Sequence, residues 1–208
     1  MILRVGLTGG IASGKSTIGR MLGYLGCAVF DADAIVSRLY LPGAAGHKAV
    51  LEAYGATILL PTGEIDKARL ASIAFVTTES AQRLNALIHP LVIAEEAAMM
   101  RNLEPNAPPD GRIAVIEATL LLESGGLERY EKIVVVDVDP EVQIERAVAR
   151  GMTPEDVMRR LTHQMSRVER LRNADYVIDN SGDLENAAIE TRRVHGHLRA
   201  DLAAKIRK

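Results

Sequence analysis

Aliphatic runs and amphipathic stretches alternate along this chain. Short apolar runs at 2–7, 27–30, 113–116, 133–136 and 176–178 have the length and β-branched content of buried strands. Between them lie stretches with helical periodicity: 17–25 stopping at Gly26, 34–41, 141–150, and a last one over 184–206 with its apolar face at 184, 188, 194, 198 and 202. Asp139-Pro140 starts one helix, and Thr153-Pro154-Glu155-Asp156 repeats the start signal. From 42 to about 102 the pattern is wholly helical: 46–54 closing at Gly55, 68–75 and 79–100, with a turn at Pro61-Thr62-Gly63-Glu64. Pro90 falls inside the last of these and predicts a kink or a break. Residues 102–111 read as a loop. Five strands separated by helices predict an α/β fold with a central five-stranded parallel sheet in three layers. The expected organisation is one domain, with a core at about 1–41 and 111–208 and a helical lobe at about 42–110.

Composition narrows this picture. The 208 residues are 48% hydrophobic with a net charge of −2, enough for one real core and no basic field for nucleic acid. Aromatic residues are 3% and Trp is absent, which argues against a base-stacking platform. No apolar run approaches membrane-spanning length, and the N-terminus reads as a strand rather than a signal peptide. The single Cys27 excludes an internal disulfide and reads as a small buried hydrophobe, so a reducing, cytoplasmic setting is expected.

Candidate chemistry begins right after the first strand. Gly9-Gly10-Ile11-Ala12-Ser13-Gly14-Lys15-Ser16-Thr17 fits G-x-x-x-x-G-K-[ST], with a strand before it and a helix after it. Glycines let the loop curl so that its N–H groups face phosphate oxygens, and the helix adds its positive end. Lys15 then reaches the β- and γ-phosphates, and the Ser16 hydroxyl is placed for Mg²⁺. This pattern predicts the P-loop NTPase fold and the binding of a nucleoside triphosphate. Asp31 and Asp33 close the second strand, where open α/β sheets hold ligands; they serve a metal and a nucleophile, or they cap the next helix. Glu117 ends the third strand, in the usual place for an acid that holds metal-bound water or orients substrate. Leu120, Leu121 and Leu122 read as core packing, and His89 as either packing or function. Over about 146–172, Arg146, Arg150, Arg159, Arg160, Arg167, Arg170 and Arg172 face few acids, which predicts a helical lid over phosphates or else a solvated helical face.

Taken together these residues resemble dephospho-coenzyme A kinase from end to end. The resemblance runs through Val5-Gly6-Leu7-Thr8-Gly9-Gly10-Ile11, Asp31-Ala32-Asp33 with Ile35, and Ile88-His89-Pro90. It continues through Leu120-Leu121 with Glu123, Arg160-x3-Gln164-x5-Arg170-x3-Ala174-Asp175, and Val177-Ile178-Asp179-Asn180. One segment departs: the family often reads Asp-Val-Pro-Leu-Leu-Phe-Glu where this chain has Glu117-Ala118-Thr119-Leu120-Leu121-Leu122-Glu123.

The resemblance implies transfer of the ATP γ-phosphoryl group to the 3′-hydroxyl of dephospho-CoA, the last step of coenzyme A synthesis. It implies Asp33 as base, with Lys15 and Arg146 neutralising charge, and Mg²⁺ on Ser16. ATP would be held by Gly10, Ile11, Ala12, Ser13, Gly14, Lys15, Ser16, Thr17, Arg146 and Asn180. The acceptor would be held by Thr8, Asp31, Asp33, His89, Glu117 and Leu120, the long pantetheine arm lying against the helical lobe. The partners it implies are these two small molecules, with neither nucleic acid nor membrane, and a monomer or weak homo-oligomer. A GTP-dependent switch is disfavoured, because the guanine-reading Asn-Lys-x-Asp is absent.

Overall fold

The computed structural model describes residues 1–162 and 164–208. The strands are β1 (Ile2–Gly9), β2 (Ala28–Asp31), β3 (Arg112–Glu117), β4 (Lys132–Asp137) and β5 (Tyr176–Asp179). They form one five-stranded sheet in the order β2-β3-β1-β4-β5, parallel throughout. Helices α1 (Lys15–Tyr24), α2 (Ala32–Leu39), α3 (Ala45–Tyr54), α4 (Lys67–Ala74) and α5 (Thr78–Leu103) precede β3. Helix α6 (Pro140–Ala149), α7 (Pro154–Thr162) and α8 (Arg167–Arg172) lie between β4 and β5, and α9 (Leu184–Ile206) ends the chain.

Alternation along each strand divides the core into two faces. Leu3, Val5, Leu7, Ile113, Val115, Val134 and Val136 pack with Ile18 and Leu22 of α1 and with Val194, Leu198 and Leu202 of α9. The intervening residues Ile133 and Val135 pack with Leu121 and Leu122 and with Met165 and Leu171. A sheet buried on both faces explains why its strands read as continuous aliphatic runs. The buried stripe of α9 is Ala187, Thr191, Val194, Leu198 and Leu202, and Leu184 is exposed. The sequence periodicity began that stripe one turn too early, because Asp183 caps the helix through the Asn186 amide and leaves Leu184 in solvent.

The chain divides into two compact units, Met1–Asp31 with Leu103–Lys208, and Ala32–Asn102. The second has its own apolar cluster of Val50, Ile58, Ile65, Leu70, Ala74, Leu84 and Ile88. Its α5 runs continuously through Pro90, so the helix does not break there. Leu84 and Ile88 bury one face while Pro90 stands exposed. The lost backbone bond therefore falls outside the packing that holds the helix, where it costs least. Helix α2 begins at Ala32, ahead of the sequence prediction, so Asp33 lies inside its first turn. Among the described residues no helix is long and apolar enough to cross a membrane.

Candidate active site

At the carboxyl end of β1 the loop turns sharply, with the Ser13 amide donating to the Gly10 carbonyl at 3.1 Å. Ala12 has φ +55°, alone among the described non-glycine residues in the left-handed region, at a cost of about 1–2 kcal/mol. Gly14, at φ +86°, leads into α1, and the amides of Thr17 and Ile18 both donate to its carbonyl. The amides of Lys15 and Ser16 lie at the helix N-terminus, an arrangement suited to an anion.

Register sets the acid opposite this loop. Glu117 pairs with Leu7 on one side and Asp31 on the other, so three strand ends meet at one level of the sheet. Glu117 Oε1 accepts from Ser16 Oγ at 2.6 Å and from Lys15 Nζ at 3.2 Å. The Lys15 and Glu117 side chains are only 11% and 9% exposed, so each charge is the partner that offsets the burial of the other. Gly19 makes room for the glutamate: a Cβ there would lie 2.7 Å from Oε2. Thr8 is fully buried, and its hydroxyl donates to the Thr119 carbonyl at 3.4 Å. Asp31 and Asp33 are exposed, and His89 is half-buried on α5. Leu121 and Leu122 enter the core, but Leu120 is 48% exposed and does not. The strand has ended by then, and successive side chains of the following turn cannot all face inward.

The segment after β4 carries further groups to the loop. From α6, Gln143 Nε2 donates to the Ile11 carbonyl at 2.7 Å, and Gln164 Oε1 accepts from the Ile11 amide at 3.1 Å. Asn180, buried at the end of β5, donates through Nδ2 to the Ser13 carbonyl at 2.7 Å. Arg146 donates to the carbonyls of Asn180 and Gly182 at 2.7 and 3.0 Å.

The arginines of 146–172 are not one solvated set. Arg170 is buried, donates to the Met165 carbonyl at 2.8 Å, and stands with Nη1 3.1 Å from where a Gly10 Cβ would be. Burial pulls its guanidinium below the ordinary arginine range, against the charges of Glu123 and Asp137. Arg167 makes a two-pronged contact with Asp137 at 2.8 and 2.6 Å, and that hydrogen bonding raises its own pKa. Arg150, Arg159, Arg160 and Arg172 are exposed, Arg159 pairing with Asp156. Sequence reasoning missed Gln143. Its signal was a polar side chain one turn into a helix, at a position whose helical neighbour Ala147 is buried.

Comparison with known proteins agrees with this geometry. The family model described as dephospho-CoA kinase matches residues 3–186. The dephospho-CoA kinase of Streptomyces avermitilis is 42% identical over 202 residues, covering 97% of this chain and 94% of that protein. Among solved structures, the dephospho-CoA kinase from Campylobacter jejuni superposes with a TM-score of 0.70 at 25% identity, covering 97% of this chain and 99% of the other. A Thermus thermophilus structure, TT1252, gives a TM-score of 0.78 at 29% identity over 94% of this chain and 97% of its own. With the phosphate loop, the acid at the end of β3 and a match along nearly its whole length, this chain belongs to the dephospho-CoA kinase family.

Proposed function

We propose that this protein phosphorylates the 3′-hydroxyl of the ribose of dephospho-CoA with ATP, giving CoA and ADP. The observation that carries this reading is the convergence of Lys15, Ser16 and Glu117 on the phosphate loop, in a chain that matches this family from residue 3 to residue 186. The loop amides and Lys15 hold the β- and γ-phosphates, and the Lys15 ammonium takes up charge as the bond to the leaving oxygen lengthens. Ser16 Oγ and the Glu117 carboxylate, 2.6 Å apart, offer hard oxygen donors that fit Mg²⁺, which supplies further charge neutralisation.

A ribose hydroxyl is a weak nucleophile, so a carboxylate must orient it and accept its proton. Asp33, in the first turn of α2, takes that role, and Asp31 helps to seat the acceptor. The helical unit, with His89, together with Thr8, Glu117 and Leu120, binds the acceptor. Asn180 supports the ATP site through the Ser13 carbonyl, and Arg146 borders it through the Asn180 carbonyl. The exposed arginines of α7 supply lid charge over the phosphates, excluding water from the transfer. In this reading the enzyme works in the cytoplasm as a monomer or weak homo-oligomer.

The test is ADP release from Mg-ATP with and without dephospho-CoA, with the product weighed by mass spectrometry. ADP formation that requires the acceptor, with one phosphate added to it, is expected. ADP release indifferent to dephospho-CoA overturns the reading.

A further inference from the structure

A phosphate loop works by aiming backbone N–H groups, so whatever fixes its peptide planes sets how well a triphosphate is held. Here the two peptide groups on either side of the Ile11 Cα are gripped from outside the loop by two glutamines. Gln143, 8% exposed on α6, donates to the Ile11 carbonyl at 2.7 Å. Gln164 accepts from the Ile11 amide at 3.1 Å. A carboxamide carries both a donor and an acceptor, and each glutamine presents the end its partner requires.

The surroundings leave the grip little play. A Cβ at Gly10 would stand 2.5 Å from Gln143 Nε2 and 3.1 Å from Arg170 Nη1. Ile11 and Ala12 pack with Ala147 and Val157 in one apolar cluster. Gln164 is itself anchored through the next residue, since Glu123 accepts from the Met165 amide at 2.7 Å and Arg170 donates to its carbonyl. Ala12, the strained residue of the loop, follows Ile11 directly. Strain of this kind persists only where neighbouring contacts over-determine the backbone.

We infer that Gln143 and Gln164 are positioning residues of the ATP site. They fix the peptides flanking Ile11, keep Ala12 in its left-handed conformation, and so govern affinity for the triphosphate through the loop rather than by contact with it. This rests on the reading of the chain as an ATP-dependent kinase.

The test uses the full chain carrying Gln143→Met, which keeps side-chain length and removes the donor. MgATP binding is measured by calorimetry, the Michaelis constants by ADP release, and the melting temperature without ligand. The expected result is an MgATP Kd raised about tenfold, a KM for dephospho-CoA within about twofold of wild type, and a melting temperature lowered by only a few degrees. Gln164→Met, at a half-buried position, shifts the same constant in the same direction and carries the test alone if the first variant does not fold. A folded variant that binds MgATP as wild type does overturns the inference. So do ATP and acceptor affinities that fall together in step with the melting temperature, since simple destabilisation accounts for that. Wild-type protein that binds no MgATP overturns the kinase reading itself, a result seen before any variant is made.

Discussion

Glu117→Gln removes one charge from the site and almost none of its shape. In the wild-type protein one carboxylate oxygen accepts from both Ser16 Oγ and Lys15 Nζ, and the two charged side chains are about nine-tenths buried. The amide oxygen of Gln still accepts, so no donor is orphaned, but the Lys15 ammonium loses its counter-charge in a poorly solvated place. Removing a buried partner outright costs about 3–5 kcal/mol, and a hydrogen bond to a charged group contributes about 1.5–3 kcal/mol net. With the bond retained in neutral form, the lower range governs, and a loss of about 2 kcal/mol is expected. In a protein of this size each kcal/mol moves the melting temperature by about 2–4 °C, so Glu117→Gln melts roughly 4–8 °C lower. Urea unfolding without nucleotide measures the free energy, and Lys15→Met closes a double-mutant cycle. Because the isolated ammonium is the source of the cost, the double variant recovers most of it. The difference also persists in high salt, since a buried pair is little screened. A melting temperature within about 1 °C of wild type, or strictly additive variants, refutes the reasoning.

Further expectations concern both chemistry and fold. Lys15→Ala abolishes acceptor-dependent ADP release, whereas Asp33→Asn lowers kcat by about 10²–10⁴ with the calorimetric Kd for MgATP unchanged; an Asp33→Asn protein as fast as wild type disproves the base assignment. Gly19→Ala gains helix propensity of about 1 kcal/mol, but its Cβ meets Glu117 Oε2 at 2.7 Å, and that carboxylate is pinned by two hydrogen bonds. It is therefore expected to destabilise the wild-type chain and to stabilise the Glu117→Asp background, a reversal of sign that urea midpoints read directly. Tyr176 donates to Asp201 at 2.7 Å, and that bond, reinforced by burial and the nearby carboxylates, pushes its pKa up to about 12. A phenol whose folded pKa lies above its unfolded one stabilises fully below about pH 10 and loses that contribution as pH rises through about 12. Stability of the wild type therefore falls more steeply than that of Tyr176→Phe above pH 10; parallel curves exclude the effect.

Local rules carried the sheet and the loop. The three central strands β1, β3 and β4 are buried on both faces, so their aliphatic runs stood out without any alternation to decode, and the phosphate loop is contiguous in the chain with its strand and helix. Elements bounded by Gly or by Asp-Pro likewise fell close to their observed positions, as at Gly26, Gly55 and Asp139-Pro140. The helix does not break at Pro90, and Leu184 stays outside the buried stripe, because there tertiary packing and capping outweighed a local rule. A helix held by Leu84 and Ile88 tolerates one missing bond on its exposed face, and a helix capped at Asp183 leaves its first leucine in water.

The candidate site was legible residue by residue but not in its connections. Strand-end logic found Glu117 from its place in β3, yet the bonds to Ser16 and Lys15 span about a hundred positions, and only the register of β1 with β3 creates them. The basic run over 146–172 had the composition of a solvated face or a lid, and composition cannot distinguish an arginine in water from one inside the protein. Arg170 lies against Gly10 because α8 returns beneath the loop, while Arg167, three residues earlier, reaches the end of β4 instead. The same return of the chain sets Gln164 on Ile11, and α6 brings Gln143 to that residue from the other side. A phosphate loop read as an eight-residue motif is thus incomplete: the glycines permit its curvature, and side chains 130 to 170 positions away in sequence select one curvature and hold it.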